Sequence, residues 1–281
     1  MILVTGANGT VGSLVVQQLV EAGQRVRILV RDTAKASKHG GAVEVVQGDL
    51  ARPETLGAAF AGIEKLFLLT TGPARIELHG LDAARAAGVR HVVKFSSMGF
   101  GPTRDALAIG NWHRDVEAAL ESSGLAWTVL LAGGFNTNAL GWAHTLKTQG
   151  TAFAATGEGK VAVVDPRDLA AVAVSSLTQP GHEGKRYELT GPQALSFDEQ
   201  VALIGAAVGR PLRFVDVPPS AARDAMSQAG MPAPLVEGML EVMATIKAGG
   251  AVTVSPAIEQ VLGRKPRTFA AWANEHAAAF R

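Results

Sequence analysis

The chain has 281 residues, 47% of them hydrophobic and 18% charged, with 26 Lys and Arg against 25 Asp and Glu and no cysteine. That is long and apolar enough for a packed core and excludes a disordered polypeptide; the even charge gives no reason to expect a nucleic acid or an anionic membrane as partner. Disulfides and thiolate metal sites are excluded as well, and a cytoplasmic protein is expected, since the N-terminus lacks the pattern of a signal peptide and no window approaches the roughly 18 apolar residues of a membrane span.

In chain order, short β-rich runs fall at 2–5, 25–30, 43–47, 65–69, 91–95 and 127–131, with helical patterns at 11–21, 53–60, 77–87 and 111–121 between them. The β runs are continuously apolar rather than alternating, as strands covered on both faces are. Strands alternating with helices predict an α/β fold with a doubly wound parallel sheet, a Rossmann fold. After residue 135 the pattern changes. "GEGK" (157–160) predicts a hairpin turn, and "DPRDLAAVAVSSLTQ" a helix with Pro166 in its first turn. A further strand is expected at 185–189. Ser196 and Glu199 have capping-box spacing before a helix at 197–208. "GRPLRFVDVPP" reads as a strand bounded by prolines, and from Pro219 onward the chain reads as helix, ending at 269–280. Residues 1–135, completed by about 160–190, are expected to form a dinucleotide-binding domain. A smaller, substrate-binding C-terminal α/β lobe is expected from 191–281 with about 136–159.

The run "ILVTGANGTVGS" passes from strand to helix through Gly6, Gly9 and Gly12. One glycine permits the tight turn, one lets amides approach a diphosphate, and one lets helix and strand pack closely. The helix start adds free N–H groups and the positive end of its dipole. Gly6, Asn8, Gly9, Thr10, Val11 and Gly12 are therefore candidate cofactor residues. The position that accepts ribose hydroxyls in NAD binders is Arg31, whose guanidinium suits a 2′-phosphate, with Lys35 able to help. Asp32, one residue on, is the competing ribose acceptor. NADP(H) is favoured and NAD(H) stays open; neither a metal nor a flavin is expected. Asp49 and Leu50 follow the third strand, where Asp49 could bind the adenine amine or cap the next helix. Leu69, Thr70 and Thr71 end the fourth strand and 95–97 the fifth, and carboxyl ends of parallel strands face the ligand crevice.

A Tyr-x-x-x-Lys proton relay is missing. The one tyrosine, Tyr187, lies far downstream, and the expected place of the motif reads "GNWHRDVEAAL". His113 and Glu117 are four apart and share a helix face, so His113 is either a proton donor at the substrate or a structural histidine paired with a carboxylate. Lys94 either approaches the nicotinamide ribose or sits at an edge in solvent. Ser96 and Ser97 lack the G-x-S-x-G surroundings of a nucleophile.

The segments "TGANGTVGS", "VRILVRDTAK", "AARAAGVRHVVKFSSMG", "WHRDVEAALESSGLAWTVLLAGGF", "VAVVDPRDLAAVA" and "GHEGKRYELTGP" together resemble the NmrA-like group of atypical short-chain dehydrogenases/reductases, in particular the branch of type 2 NAD(P)H:quinone oxidoreductases and of triphenylmethane and azo-dye reductases. The resemblance implies an NADP-preferring Rossmann domain, a small C-terminal lobe and substrate in the cleft between them. It puts Gly133, Gly134, Phe135 and Asn138 where the family contacts nicotinamide or substrate; beside them, Lys94, Ser96 and Ala132 are candidates at the cofactor, and Ser97, His113, Phe135 and Trp142 at the substrate. The family's Thr-x-x-Arg-Pro-Gly is altered: Leu131 stands for the arginine and Ala132 for the proline. Met226, Met231, Met239 and Met243 offer polarizable surface to a flat substrate, or else form the lobe's own core or a dimer face.

The expected activity is hydride transfer from NAD(P)H to a quinone or related planar conjugated acceptor, whose anion is stabilised by delocalisation and needs positioning more than an acid. Two rivals stand beside it: a non-catalytic NADP-binding redox sensor, and a tailoring reductase of an aromatic natural-product intermediate. A monomer or a homodimer is expected, with a small aromatic molecule as ligand.

Overall fold

Short buried strands, each followed by a helix, can satisfy their backbones only side by side, and this is the arrangement of the computed structural model. It describes residues 1–99 and 108–281, with the side chains of 35, 37, 38 and 108–112 outside the description. The strands are β1 (Ile2–Val4), β2 (Val26–Val30), β3 (Glu44–Gln47), β4 (Lys65–Leu68), β5 (His91–Ser97), β6 (Ala126–Ala132), β7 (Thr151–Ala154), β8 (Lys160–Val161), β9 (Lys185–Leu189), β10 (Leu195–Ser196) and β11 (Arg213–Asp216). A seven-stranded sheet runs in the order β3-β2-β1-β4-β5-β6-β9, and every pairing in it is parallel. The reversal of strand order beside β1 opens a crevice at the carboxyl ends.

The helices are α1 (Thr10–Glu21), α2 (Gly57–Phe60), α3 (Ala74–Ala86), α4 (Ala108–Glu121), α5 (Ala143–Gln149), α6 (Pro166–Thr178), α7 (Phe197–Val208), α8 (Pro219–Gln228), α9 (Ala233–Lys247), α10 (Ala257–Leu262) and α11 (Phe269–Glu275). One face of the sheet packs on α1, α6 and α10 through a core that includes Val15, Leu19, Phe67, Leu169 and Ile258. The other packs on α2, α3 and α4 through Phe60, Leu66, Leu81, Val116 and Leu120. Each such fully buried side chain contributes about 1.5–3 kcal/mol. A third cluster, with Leu146, Ile204, Phe269, Trp272 and Phe280, lies outside the sheet and joins α5, α7 and α11.

Caps place the helix starts. The Asp165 carboxylate accepts the Arg167 N–H at 2.9 Å and Pro166 opens α6. Both halves of the Ser196–Glu199 capping box are formed at α7.

The structure departs from the expected elements in three places. The stretch 53–60 is not one helix but a 3₁₀ turn, Pro53–Thr55, followed by α2. A 3₁₀ segment, Thr33–Ala42, was not anticipated; it starts from an Asp32 cap. No hairpin forms at 157–160: β7 pairs parallel with β11, and β8 pairs antiparallel with β10. The reason lies in the turn itself. A Cβ at Gly159 would stand 2.2 Å from the Ile246 carbonyl oxygen, so the turn is pressed against α9. Asp216 accepts the Gly157 N–H at 2.7 Å, drawing the turn toward β11. No helix among the described residues is long and apolar enough to cross a membrane.

Candidate functional site

The chain leaves β1 through Thr5, whose hydroxyl oxygen accepts the Leu69 N–H at 2.9 Å and so ties the end of β1 to the end of β4. Gly6 has φ +64°, and a Cβ there would meet the Leu69 carbonyl oxygen at 2.7 Å. A Cβ at Gly12 would lie 2.1 Å from the Gly6 carbonyl oxygen, so α1 rests directly on the turn. Gly9 is the N-cap of α1, and no side chain bonds to the helix start. The first amides of a helix have no partner within it, and Thr10 and Val11 at the start of α1 line the crevice.

A cavity of about 540 Å³ lies over this turn, lined by 5–11, 29–31, 48–51, 69–71, Ile76, Phe95 and Phe135. The structure thus gathers Gly6, Asn8, Gly9, Thr10, Val11, Arg31, Asp49, Leu50, Leu69, Thr70, Thr71 and Phe135 around one space. The structure places the two residues at the end of the second strand differently. Arg31 lines the cavity, its backbone carbonyl fixed by the Gln47 amide at 3.2 Å. Asp32 is not among the lining residues, and its carboxylate accepts the Ala34 N–H at 3.0 Å as a cap. Asp49 both lines the cavity and accepts the Ala51 N–H at 2.9 Å. A glycine cradle at a helix start and a guanidinium at the far wall fit a dinucleotide with a phosphorylated ribose. Thr5, Ala7, Leu29, Val30, Gly48 and Ala51 were not singled out from sequence. The rule that strand carboxyl ends face the crevice was the available signal for them; Ile76, on α3, had none. The side chain of Lys35 lies outside the described residues.

Other expected residues are placed elsewhere. Gly12 stands behind the turn rather than in the cavity. Lys94 occupies neither of the places expected for it: β5 turns Phe95 toward the cavity and Lys94 to the other face, where it is 0% exposed and 2.8 Å from Glu77. Ser96, on that same face, donates to Glu117, whose other oxygen holds Arg186 at 2.7 Å. His113 Nδ1 lies 3.1 Å from Lys94 Nζ. Ser97 closes β5 by accepting the Gly99 N–H at 3.1 Å. Asn138 is exposed, and Trp142 packs edge-on against Phe197 at the third cluster, ring centroids 4.9 Å apart, and lines neither cavity. Ala132 is buried at the end of β6. Gly133 and Gly134 line a second cavity of about 240 Å³ past the ends of β5, β6 and β9, with Met98, Val161 and Glu188. Met226, Met231, Met239 and Met243 are half-buried in the α8–α9 region and line neither cavity. A broader groove of about 800 Å³ lies between α1, α6 and the C-terminal segment. Its arginines are already matched, Arg167 and Arg267 by Asp165 and Arg264 by Asp168, so each of its cations has a carboxylate partner.

Tyr187 is committed at the opposite end of the sheet. Its hydroxyl pairs with His182 Nδ1 at 2.9 Å, Thr128 donates to the His182 carbonyl at 2.7 Å, and His91 Nε2 meets the Thr128 hydroxyl at 2.9 Å. Burial holds both histidines below their ordinary range. Among the described residues, no three His, Asp or Glu side chains are grouped to hold a metal ion.

The pattern of the NmrA-like family matches residues 1–273. The chain is 42% identical over 284 residues to the NAD(P)H azoreductase of Xenophilus azovorans, covering 100% of this chain and 99% of that one. It is 41% identical over 281 residues to the (4-alkanoyl-5-oxo-2,5-dihydrofuran-3-yl)methyl phosphate reductase of Streptomyces griseus, again covering 100% and 99%. Among solved structures it resembles the NADPH-dependent quinone oxidoreductase of Escherichia coli complexed with NADPH, with a TM-score of 0.88, 27% identity and coverage of 98% and 99%.

Proposed function

The chain belongs to the NmrA-like family, and we propose that this NAD(P)H-dependent oxidoreductase reduces a planar conjugated acceptor, a quinone or an azo compound, with NADP(H) as the favoured cofactor. The reading rests on the cavity over Gly6–Gly12 with Arg31 in its wall. The amides opening α1 hold the diphosphate, Arg31 takes the 2′-phosphate, and Phe95 and Phe135 form an apolar end that excludes water. When bound, the nicotinamide supplies a hydride. The acceptor takes that electron pair into its conjugated system, and water supplies the accompanying proton. A phenol relay is unnecessary for such an acceptor, which accords with the commitment of Tyr187 to His182.

The division into a dinucleotide-binding part, 1–135 with about 160–190, and a smaller lobe, 191–281 with about 136–159, is supported by the third buried cluster around Ile204, Phe269 and Trp272, while α10 and Val161–Val163 cross between the two parts. Substrate entering between them would meet the Gly133–Gly134 segment.

The test is a titration of NADPH into the protein followed by NADPH consumption with benzoquinones, naphthoquinones and azo dyes. Saturable binding and consumption above the uncatalysed rate are expected. Binding without consumption of any acceptor would replace the enzyme by a sensor. The 41% identity to a reductase of an oxo-dihydrofuran phosphate favours a second reading, a tailoring enzyme that reduces a conjugated C=C bond. An unsaturated lactone in the same panel separates the two.

A further inference from the structure

Behind the wall of the dinucleotide cavity lies a charged pair that the cavity does not reach. Glu77, on the first turn of α3, is 3% exposed, and Lys94, within β5, is 0% exposed. Glu77 Oε2 and Lys94 Nζ are 2.8 Å apart. Burial pushes the Glu77 carboxyl up and the Lys94 ammonium down, and each charge opposes the other's shift. Such a pair is not explained by stability. Desolvating two charges costs several kcal/mol, and apolar residues of similar volume generally serve a core as well or better.

What the pair does with its remaining bonds points to the cavity. The Glu77 Oε1 oxygen accepts the Thr70 N–H at 3.2 Å and is 3.4 Å from the Thr70 hydroxyl. Thr70 lies just past the end of β4, beyond the ladder that pairs Leu68 with Lys94, so no neighbouring strand holds its amide. Its neighbours Leu69 and Thr71 line the cavity with it. Thr5 fixes the Leu69 end of this short rim, and Glu77 fixes the next residue from behind. Lys94 completes the arrangement by donating to the Phe95 carbonyl and approaching His113 Nδ1, while its contact with Glu77 is an ion pair at 2.8 Å. Its ammonium can neither swing into the cavity nor reach water.

We propose that Glu77 is a positioning residue for the dinucleotide, holding Thr70 and the 69–71 rim in the shape the cofactor requires, and that Lys94 is the counter-charge that allows a carboxylate to do this inside the protein. The proposal rests on reading the cavity as a dinucleotide site. It assigns a role to two side chains that touch neither cofactor nor substrate, and it accounts for an ion pair that the core does not need.

The experiment uses calorimetric NADPH titration and thermal unfolding on the full chain. E77L/K94M removes both charges and the Thr70 acceptor together. It is expected to melt near the wild type, because removing a buried pair as a unit costs little, yet to bind NADPH about tenfold more weakly, the effect of one lost hydrogen bond on the rim. E77Q/K94M restores a neutral acceptor for the Thr70 N–H and is expected to bind within about threefold of wild type. Rescue by glutamine but not leucine is what a merely structural pair would not produce. Equal NADPH affinity of E77L/K94M and wild type would overturn the proposal. If E77L/K94M does not fold, E77Q/K94M decides, and a tenfold loss there overturns it. Failure of the unaltered chain to bind NADPH would fell the functional reading itself, and the wild-type titration tells that apart.

Discussion

At the carboxyl ends of the strands, α1 begins with no side-chain cap, and Asn136, wholly buried just past β6, has neither amide atom partnered among the described residues. At the amino ends of the same strands His91 is joined to Thr128, Thr128 to the His182 carbonyl, and His182 to both Tyr187 and Ser175. At the first end Asn136 is left open, where a buried unpaired group costs about 1–3 kcal/mol; the second closes a network across separate segments, with the Ser176 hydroxyl beside it unpartnered among the described residues. The difference teaches where the protein keeps capacity for a ligand and where it invests in its fold. Substitutions at the carboxyl end should therefore change binding, and those at the amino end should change stability.

The largest effect that can break this contrast is expected for Gly12→Ala. A Cβ 2.1 Å from the Gly6 carbonyl oxygen must push α1 off the turn. A loss of NADPH affinity of about 100-fold, or ~3 kcal/mol, is expected by calorimetry; wild-type affinity would show that the turn is not the phosphate cradle. Next is Thr128→Val. It leaves the His91 ring nitrogen and the His182 carbonyl without their partner, and urea unfolding should show a loss of about 2–3 kcal/mol with NADPH affinity unchanged. Weakened NADPH binding would join the two ends that are here held separate. Arg31→Ala sharpens the carboxyl end: NADPH should weaken roughly tenfold more than NADH, as the loss of a charge-assisted bond to the 2′-phosphate requires. Equal losses for the two cofactors would return the assignment to Asp32 or to neither.

Two smaller effects complete the series. Asn136→Leu keeps the number and branching of heavy atoms and removes both unpartnered polar atoms, so thermal unfolding should register a gain of about 1 kcal/mol. A destabilised variant would mean that the amide has a partner after all. The last concerns pH. Burial lowers the folded pKa of His91 and of His182 below the unfolded value near 6.5. The unfolded chain then binds more protons than the folded one, so the stability these groups confer is complete above about pH 6.5 and is lost as pH falls through the folded values. Urea midpoints measured from pH 7.5 to 5 should decline, and in Thr128→Val the decline should change, because the His91 partner is gone.

Much of the cofactor end was legible in the chain because it is local. Gly6, Gly9 and Gly12 lie within seven residues, and their spacing alone carries the need for a close backbone approach. The strand–helix alternation was legible for the same reason, since a period is a property of neighbours. The face of each strand was less so. The run 91–95 reads as a strand buried on both sides, and it is one, extending to Ser97, yet Lys94 is buried among charges rather than at the crevice. The turn at 157–160 has the composition of a hairpin, and its strands found other partners in β11 and β10.

By itself, then, the sequence determined the parallel sheet and the glycine turn, because each is written in residues close along the chain. Tertiary structure alone decided that Asp32 is spent on a cap, that Tyr187 is held by His182, and that Lys94 answers Glu77. A side chain's partner is set by whichever distant segment packs over it, and 54 residues separate Thr128 from the His182 carbonyl it bonds. No local period records such a meeting.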